Sequence, residues 1–499
     1  MTTQQIANSI IYGSSWDFKN LTYSFKDARL PYELDEDFQG SYSPSNAMKI
    51  ATNKILDYVE TILDLNFTYT TGIGDIVFSY KQMQDPNTIG YTYLPGTHAK
   101  NAAGDVYISA SFSDADFEVG GLGYSTLVHE LGHALGLQHP YGSGYYPGVD
   151  IYDTVMSYNN YQTYDNFNNH SVDLSSFITY QSADILALQS IYGENTETKD
   201  NFYDFESMLL TSKIDGLTGP IEDSLYTLED RGGIDTISLQ NIHSSYDQYI
   251  DINPTKESII SINDIHNYVT ITADTTVENV IGSTSDDKII LNQANNIVDG
   301  LSGFDSIYID TKADVRVDKL QDMTIVSGKD SGFDTLTNVE VIYINHDQID
   351  TNLYQRETFS TPHLEEAKQI SRLYLSALDR LADEDGLNYW LNQYTTTHDI
   401  HSIANSFIVS DEFKETYQDK TDDKSYISLL YNNVLYRDAD ADGLNYWLHD
   451  MQEGATKADI LTSFSASAEF IGLTDVYFEG DALYILWDTK AKSSTVNQN

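Results

Sequence analysis

The segment His129-Glu-Leu-Gly-His133-Ala-Leu-Gly136-Leu-Gln-His139 carries the residue types that hold a metal ion. On a helix, residues four apart share a face, so His129 and His133 present two imidazoles to one point. Glu130 stands one step round, close to that point and aimed at a water molecule rather than at the ion. A third histidine further along the same helix would face away, so the chain must leave the helix. Gly136 permits a left-handed turn there without a Cβ clash. His139 then approaches from the side. Three neutral nitrogens at ~2.0–2.1 Å with an open fourth position describe a catalytic zinc site. Its chemistry would be hydrolysis, with Zn2+ polarising a carbonyl and Glu130 as the proton carrier.

The elements that must position these residues follow from periodicity. From Leu21 the run Leu-Thr-Tyr-Ser-Phe alternates apolar and polar, as a half-buried strand does. Residues 44–64 place Met48, Ile50, Ala51, Ile55, Leu56, Val59 and Ile62 at near-helical spacing. Strand-like runs follow at Ile76–Tyr80, Gly90–Leu94 and Asp105–Ser109, and then a helix over Gly123–Leu135. Residues 1–15 read as a leader or short propeptide, and 16–199 as one α+β domain carrying the zinc site.

Downstream of the histidines lies Asp153-Thr-Val-Met156-Ser-Tyr158. A long zinc motif followed by a methionine turn resembles the metzincin pattern, and the Met-Ser-Tyr form resembles the serralysin branch. That resemblance implies a metzincin catalytic domain that hydrolyses peptide bonds of proteins. It implies Met156 as the floor of the site. It implies Tyr158 as a further zinc ligand that leaves the metal to hydrogen-bond the oxyanion. The stretch from Ile11-Tyr-Gly-Ser-Ser-Trp16 to Phe25 is similar to the start of a mature serralysin.

Residues 200–350 are rich in Asp, Asn, Ser, Thr, Ile and Val, with short β runs broken by turns. Asp287, Asn296 and Asp305 recur every nine residues, a spacing that suits stacked parallel β turns. This segment resembles a calcium-binding RTX β-roll, so the expectation is a β-roll-like all-β domain with Ca2+ at Asp287 and Asp305. Ser285, Leu301 and Asn296 depart from that repeat.

Residues 366–473 switch to helical periodicity and an all-α C-terminal domain. Gly386-Leu-Asn-Tyr-Trp-Leu391 recurs unchanged 57 residues later as Gly443-Leu-Asn-Tyr-Trp-Leu448. The duplication resembles a tandem domain of unknown function in exported bacterial proteins. Asp438-Ala-Asp440-Ala-Asp442 imitates an EF-hand opening, yet His449 stands where the closing Glu belongs. These acids read as turn and N-cap residues, and Trp390 and Trp447 as core. Residues 351–365, with Thr361-Pro362, read as a linker, and 474–499 as a tail that could carry a secretion signal.

The chain has 499 residues with 27 Lys and Arg against 76 Asp and Glu, a net charge of −49. Such a chain repels phosphate backbones, so nucleic acid is excluded as a partner. The lack of cysteine excludes disulfides and thiolate zinc. No apolar run reaches the ~18 residues of a membrane span. Met1–Asp17 holds no Lys or Arg and does not resemble a Sec-type signal. The expectation is a secreted, extracellular zinc metalloendopeptidase, exported by a type I route with a C-terminal signal. Its partners are protein or peptide substrates, and residues 366–473 would meet a cell surface or matrix. The alternative is a non-enzymatic surface or matrix-binding protein with a vestigial zinc site.

Overall fold

The structure, a computed structural model, describes residues 1–26, 41–96, 102–165, 170–206, 223–242, 246–262, 265–313, 315–354, 356–417, 422–479 and 482–485. The chain divides into two compact units, Met1–Ile290 and Leu291–Asn499. The division falls inside the segment 200–350 that the sequence suggests as one β-domain.

The first unit opens on α1 (Thr3–Ile10), capped by a reciprocal pair of bonds between Thr2 and Gln5. Ile6, Ala7 and Ile10 bury against α4 (Ser182–Tyr192), and Ile11 bridges to Leu137. Residues 1–15, expected as a leader, are therefore built into the body of the unit. A mixed sheet follows, made of β1 (Asn20–Phe25), β2 (Ser41–Tyr42), β3 (Asn66–Tyr69), β4 (Ile76–Lys81), β5 (Gly90–Thr92) and β6 (Val106–Ser109). The path is β3-β1-β4-β6-β5, with β2 on β4. β1, β3, β4 and β6 run parallel, and β4 is buried along its whole length, as an interior parallel strand must be. β5 runs antiparallel to β6 and ends the sheet.

Two helices support this sheet. α2 (Asn46–Ile62) begins at Ser45, whose hydroxyl accepts the Met48 N–H at 3.3 Å, and buries Met48, Ala51, Ile55, Leu56, Val59 and Ile62. Ile50, expected on that stripe, is 44% exposed; at 100° per residue it falls outside the arc the others define. α3 (Leu122–Ala134) is buried along nearly its whole surface.

The rest of the unit is β structure. Ser224–Leu228 pairs in parallel with Asn267–Ile271, and Thr236–Ser238 with Asn279–Ile281, both at an offset of 43 residues. The coil of this domain is thus far longer than the nine-residue period. The ladder strand Asn267–Ile271 is also one arm of an antiparallel hairpin, Glu257–Ile262 with Ile265–Ile271, which lies in the chain between Thr236–Ser238 and Asn279–Ile281. The acid in the fragment Gly232–Ile237 serves the backbone, since Asp235 Oδ1 accepts the Asn201 N–H at 2.9 Å and ties one coil to the next.

The second unit repeats that logic. Ile297–Asp299 lies parallel to Thr335–Thr337, and Asp334 Oδ1 accepts the Asn296 N–H at 3.1 Å. Its helices are Leu364–Leu378, Glu384–Thr397, Ile400–Ile408, Asp411–Tyr417, Asp423–Val434, Ala441–Gln452, Lys457–Ser465 and Ala468–Thr474. The duplicated stripes Ile370, Leu373, Tyr374, Ala377 and Ile427, Leu430, Tyr431, Val434 form one core together with Leu320, Ile325 and Phe333 of the strands. The Arg316 guanidinium crosses from strand to helices, bonding Asp318 (3.0 Å), Asp379 (2.5 Å) and Tyr436 (3.3 Å).

Residues 351–365, read as a linker, contain the strand Glu357–Ser360, which pairs antiparallel with Ala482–Ile485 of the tail. A shared core and a shared sheet join the helical repeats to the strands before them. Of the tail 474–499, expected to carry the export signal, residues 480–481 and 486–499 lie outside the described residues. Asp383 and Asp440 are N-caps, accepting the N–H of Gly386 and Gly443 at 2.7 Å each. Among the described residues, no helix is long and apolar enough to cross a membrane.

Candidate metal centre

α3 delivers His129, Glu130 and His133, and Gly132 lies between them for a packing reason. A Cβ at Gly132 would lie 2.9 Å from the Met156 sulfur, so the missing side chain lets Met156 slide beneath the helix. Met156 is fully buried there. The turn before it is held by Asp184 on α4, whose carboxylate accepts the Thr154 hydroxyl (2.5 Å), the Val155 N–H (2.8 Å) and the Gln181 N–H (3.0 Å).

α3 ends as the sequence requires. Gly136 takes φ +97°, and the Leu137 N–H folds back to the Gly132 carbonyl at 2.9 Å. This turn swings His139 toward the two helical histidines. The N-terminal segment braces it: the Gln138 N–H reaches Ile10 O at 2.7 Å, the Tyr12 N–H reaches Gly136 O at 3.0 Å, and the Trp16 indole N–H reaches Ala134 O at 2.9 Å.

The three imidazoles converge, with one nitrogen from each within 4.8 Å of the others. His129 Nδ1 lies 2.7 Å from the Val155 carbonyl and His133 Nδ1 lies 2.8 Å from the Leu137 carbonyl. Each Nδ1 therefore carries the proton, and each Nε2 is left as a lone-pair donor. His129 Nε2 and His139 Nε2 stand 3.4 Å apart. Burial disfavours protonation throughout: it drives His129 well below the ordinary imidazole value and His133 down to about 4. Neutral nitrogens facing one another across a short gap suit a cation, and a three-imidazole set suits zinc.

Glu130 is buried, and burial pushes its carboxyl up to about 8, against the opposing pull of a hydrogen bond. That bond comes from Thr92 on the edge strand, whose hydroxyl donates to Glu130 Oε2 at 2.8 Å. A Cβ on Gly90 would sit 2.8 Å from Glu130 Oε1. The backbone of β5 thus lies directly beside the carboxylate. Tyr158 is 45% exposed, with its ring 4.7 Å from that of His139 between centroids. Burial first, then the Glu130 and Tyr145 charges, push its hydroxyl up to about 12.

Of the residues expected from sequence, His129, Glu130, His133, His139, Met156 and Tyr158 come together. Among the described residues, Asp287 and Asp305 belong to no converging group of three or more His, Cys, Asp or Glu side chains. The Asp287 carboxylate accepts the N–H and hydroxyl of Ser283 at 2.6 and 2.8 Å. The Asp305 N–H donates to Glu340 Oε2 at 2.7 Å. Among the described residues, the three histidines are the one group of three or more His, Cys, Asp or Glu side chains converging on a point. Thr92, Asp184 and Gln138 carry no signal in the sequence, because each acts across a tertiary contact.

Comparison with known proteins agrees with this geometry. The chain is 30% identical to a serralysin of Photorhabdus laumondii over 306 residues, covering 55% of this chain and 59% of that protein. It is 30% identical to a serralysin of Proteus mirabilis, over 53% and 56% of the two chains. It is 28% identical to the metallopeptidase AprA of Pseudomonas marginalis, over 56% and 61%. The match therefore spans less than two thirds of each relative's length. Residues 404–474 match a family described as "Domain of unknown function (DUF4214)".

Proposed function

We propose that this chain is a zinc-dependent metalloendopeptidase of serralysin type. The observation that carries the reading is the convergence of three neutral imidazoles beside a buried carboxylate at the edge of a sheet. Similarity to serralysins over about half the chain supports it. His129, His133 and His139 would hold the ion, with Tyr158 as the mobile fourth protein group. Zinc bound there supplies Lewis acidity toward a peptide carbonyl and toward water.

The chain's own residues do the rest. Glu130 takes a proton from the attacking water and returns it to the leaving amine. The Tyr158 hydroxyl, kept protonated by its surroundings, donates to the oxyanion as the carbonyl carbon becomes tetrahedral. The outer edge of β5 accepts an extended peptide antiparallel to itself through main-chain hydrogen bonds. Substrates would be proteins or peptides. The enzyme would act outside the cell after type I export, and the helical repeats would tether it there.

The test is a gelatin or casein gel with the full chain, before and after a chelator. Cleavage that disappears with the chelator and returns with stoichiometric zinc is the expected result. A protein that binds zinc and cuts neither substrate would favour the non-enzymatic alternative.

The bond from Thr92 makes a second test. Thr92→Val keeps shape but removes the donor to a charged acceptor, and should lower kcat about tenfold with KM nearly unchanged. Thr92→Ser should restore the rate. Equal kcat for the Val variant and wild type would remove Thr92 from any part in orienting Glu130.

A further inference from the structure

The two helical repeats keep residues that their folding does not use. Helix Glu384–Thr397 and helix Ala441–Gln452 superpose in sequence at the offset of 57. Their buried or half-buried positions agree for a packing reason. Trp390 lies against Phe407 and Trp447 against Phe464, with ring centroids 5.4 and 5.2 Å apart. Exposed positions have drifted, as unconstrained ones do: Glu384 corresponds to Ala441, Asn392 to His449, and Gln393 to Asp450.

Three exposed positions have not drifted. Asp385, Asn388 and Tyr389 recur as Asp442, Asn445 and Tyr446. Positions i, i+3 and i+4 share one helix face, so each copy displays the same acid, amide and phenol side by side. An acid in the first turn is explained by the helix dipole. The amides and phenols have no such account. Tyr389 is 56% exposed and Tyr446 62%, and no hydrogen bond joins either phenol or either amide to another described residue. Each ring is braced edge-on by its neighbouring tryptophan, Tyr389 to Trp390 at 4.8 Å and 78°, Tyr446 to Trp447 at 4.9 Å and 80°. These are aromatic rings with more than half of each residue open to solvent.

The geometry points to a pair of equivalent carbohydrate-binding sites, one per repeat, for a neutral polysaccharide. The axial C–H groups of a pyranose pack on an aromatic face. Adjacent ring hydroxyls are donors and acceptors that match an amide and a carboxylate one helical turn away. The carboxylates and the net charge of −49 disfavour anionic polymers. Two copies on one folded unit suit a ligand that itself repeats, because the second contact forms at high effective concentration. This inference rests on reading residues 366–473 as a tether, and gives that tether its chemistry.

The experiment uses the full chain carrying Glu130→Gln, so that binding is measured apart from proteolysis. The protein is equilibrated with microcrystalline cellulose and with chitin, both neutral β-linked glycans, and with polygalacturonate as an anionic control. Retention is expected on at least one neutral glycan and not on the control. Tyr389→Ala and Tyr446→Ala should each weaken retention about 10-fold and the pair at least 100-fold, with melting temperature unchanged. The double Tyr→Phe variant, which keeps the ring, should bind within threefold of the parent. Soluble oligosaccharides of the retained glycan should alter the emission of Trp390 and Trp447. Absence of retention on both glycans, or a folded double alanine variant that binds like the parent, overturns the proposal. Neither result bears on peptide hydrolysis, which the casein test judges separately.

Discussion

A chain carrying Glu130→Gln should bind one zinc ion with near-normal affinity and hydrolyse peptides at least ~10²–10⁴-fold more slowly. The separation follows from position. Glu130 lies next to His129 on α3, but the converging nitrogens belong to the three histidines. Its carboxylate turns instead to β5, where Thr92 Oγ1 donates to it at 2.8 Å and Gly90 crowds its other oxygen. Glutamine has the same outline, and its carbonyl oxygen can still accept from Thr92, so the helix and the imidazoles keep their places. What is lost is a base. Zinc content by atomic absorption, set beside the cleavage rate of a synthetic peptide, separates the two roles. Retained proteolysis at full zinc occupancy would sink the assignment of Glu130.

The legible part of this site is the part that local geometry dictates. A four-residue spacing on a helix places His129 and His133, and a glycine before Leu137 turns His139 back; neither needs knowledge of the rest of the chain. Thr92 reaches Glu130 across 38 residues, and Asp184 reaches Thr154 across 30. These contacts depend on which strand ends the sheet and where α4 docks, and periodicity is silent on both. The same contrast runs through the remaining fold. The duplication at 57 residues is local repetition and appears directly as repeated helices with one core. The nine-residue spacing is also local, yet the parallel ladders of the first unit pair strands 34 and 43 residues apart, across whole segments that a nine-residue period does not describe. The segment 351–365 reads as a linker by composition, but strand Glu357–Ser360 finds its partner more than a hundred residues later.

The turn that carries His139 gives the other large effect. Gly136→Ala should destabilise the turn by about 2 kcal/mol and weaken zinc binding by about 30-fold. Two causes add. At φ +97° an L-residue is strained, and the new Cβ would lie 2.6 Å from the Ser14 carbonyl. Backbone, not a flexible side-chain end, must then give way. Ser14 cannot retreat freely, since the segment before it is held by Gln138 N–H to Ile10 O and Tyr12 N–H to Gly136 O. α1 is in turn buried through Ile6, Ala7 and Ile10. The strain is therefore passed along the chain into the residues that follow Gly136, and His139 moves off the point where the imidazoles meet. His129 and His133 stay, because α3 is packed on nearly all sides. Two remaining ligands bind zinc less tightly than three, and the loss appears first as metal affinity. Gln138→Ala removes two side-chain bonds to Ser9 O and Ile11 O of 3.2 Å each without straining the backbone, so it should cost less. Competition against a chelator of known affinity reads both variants. A Gly136→Ala protein that holds zinc as tightly as wild type would mean that the turn is not what brings His139 to the metal.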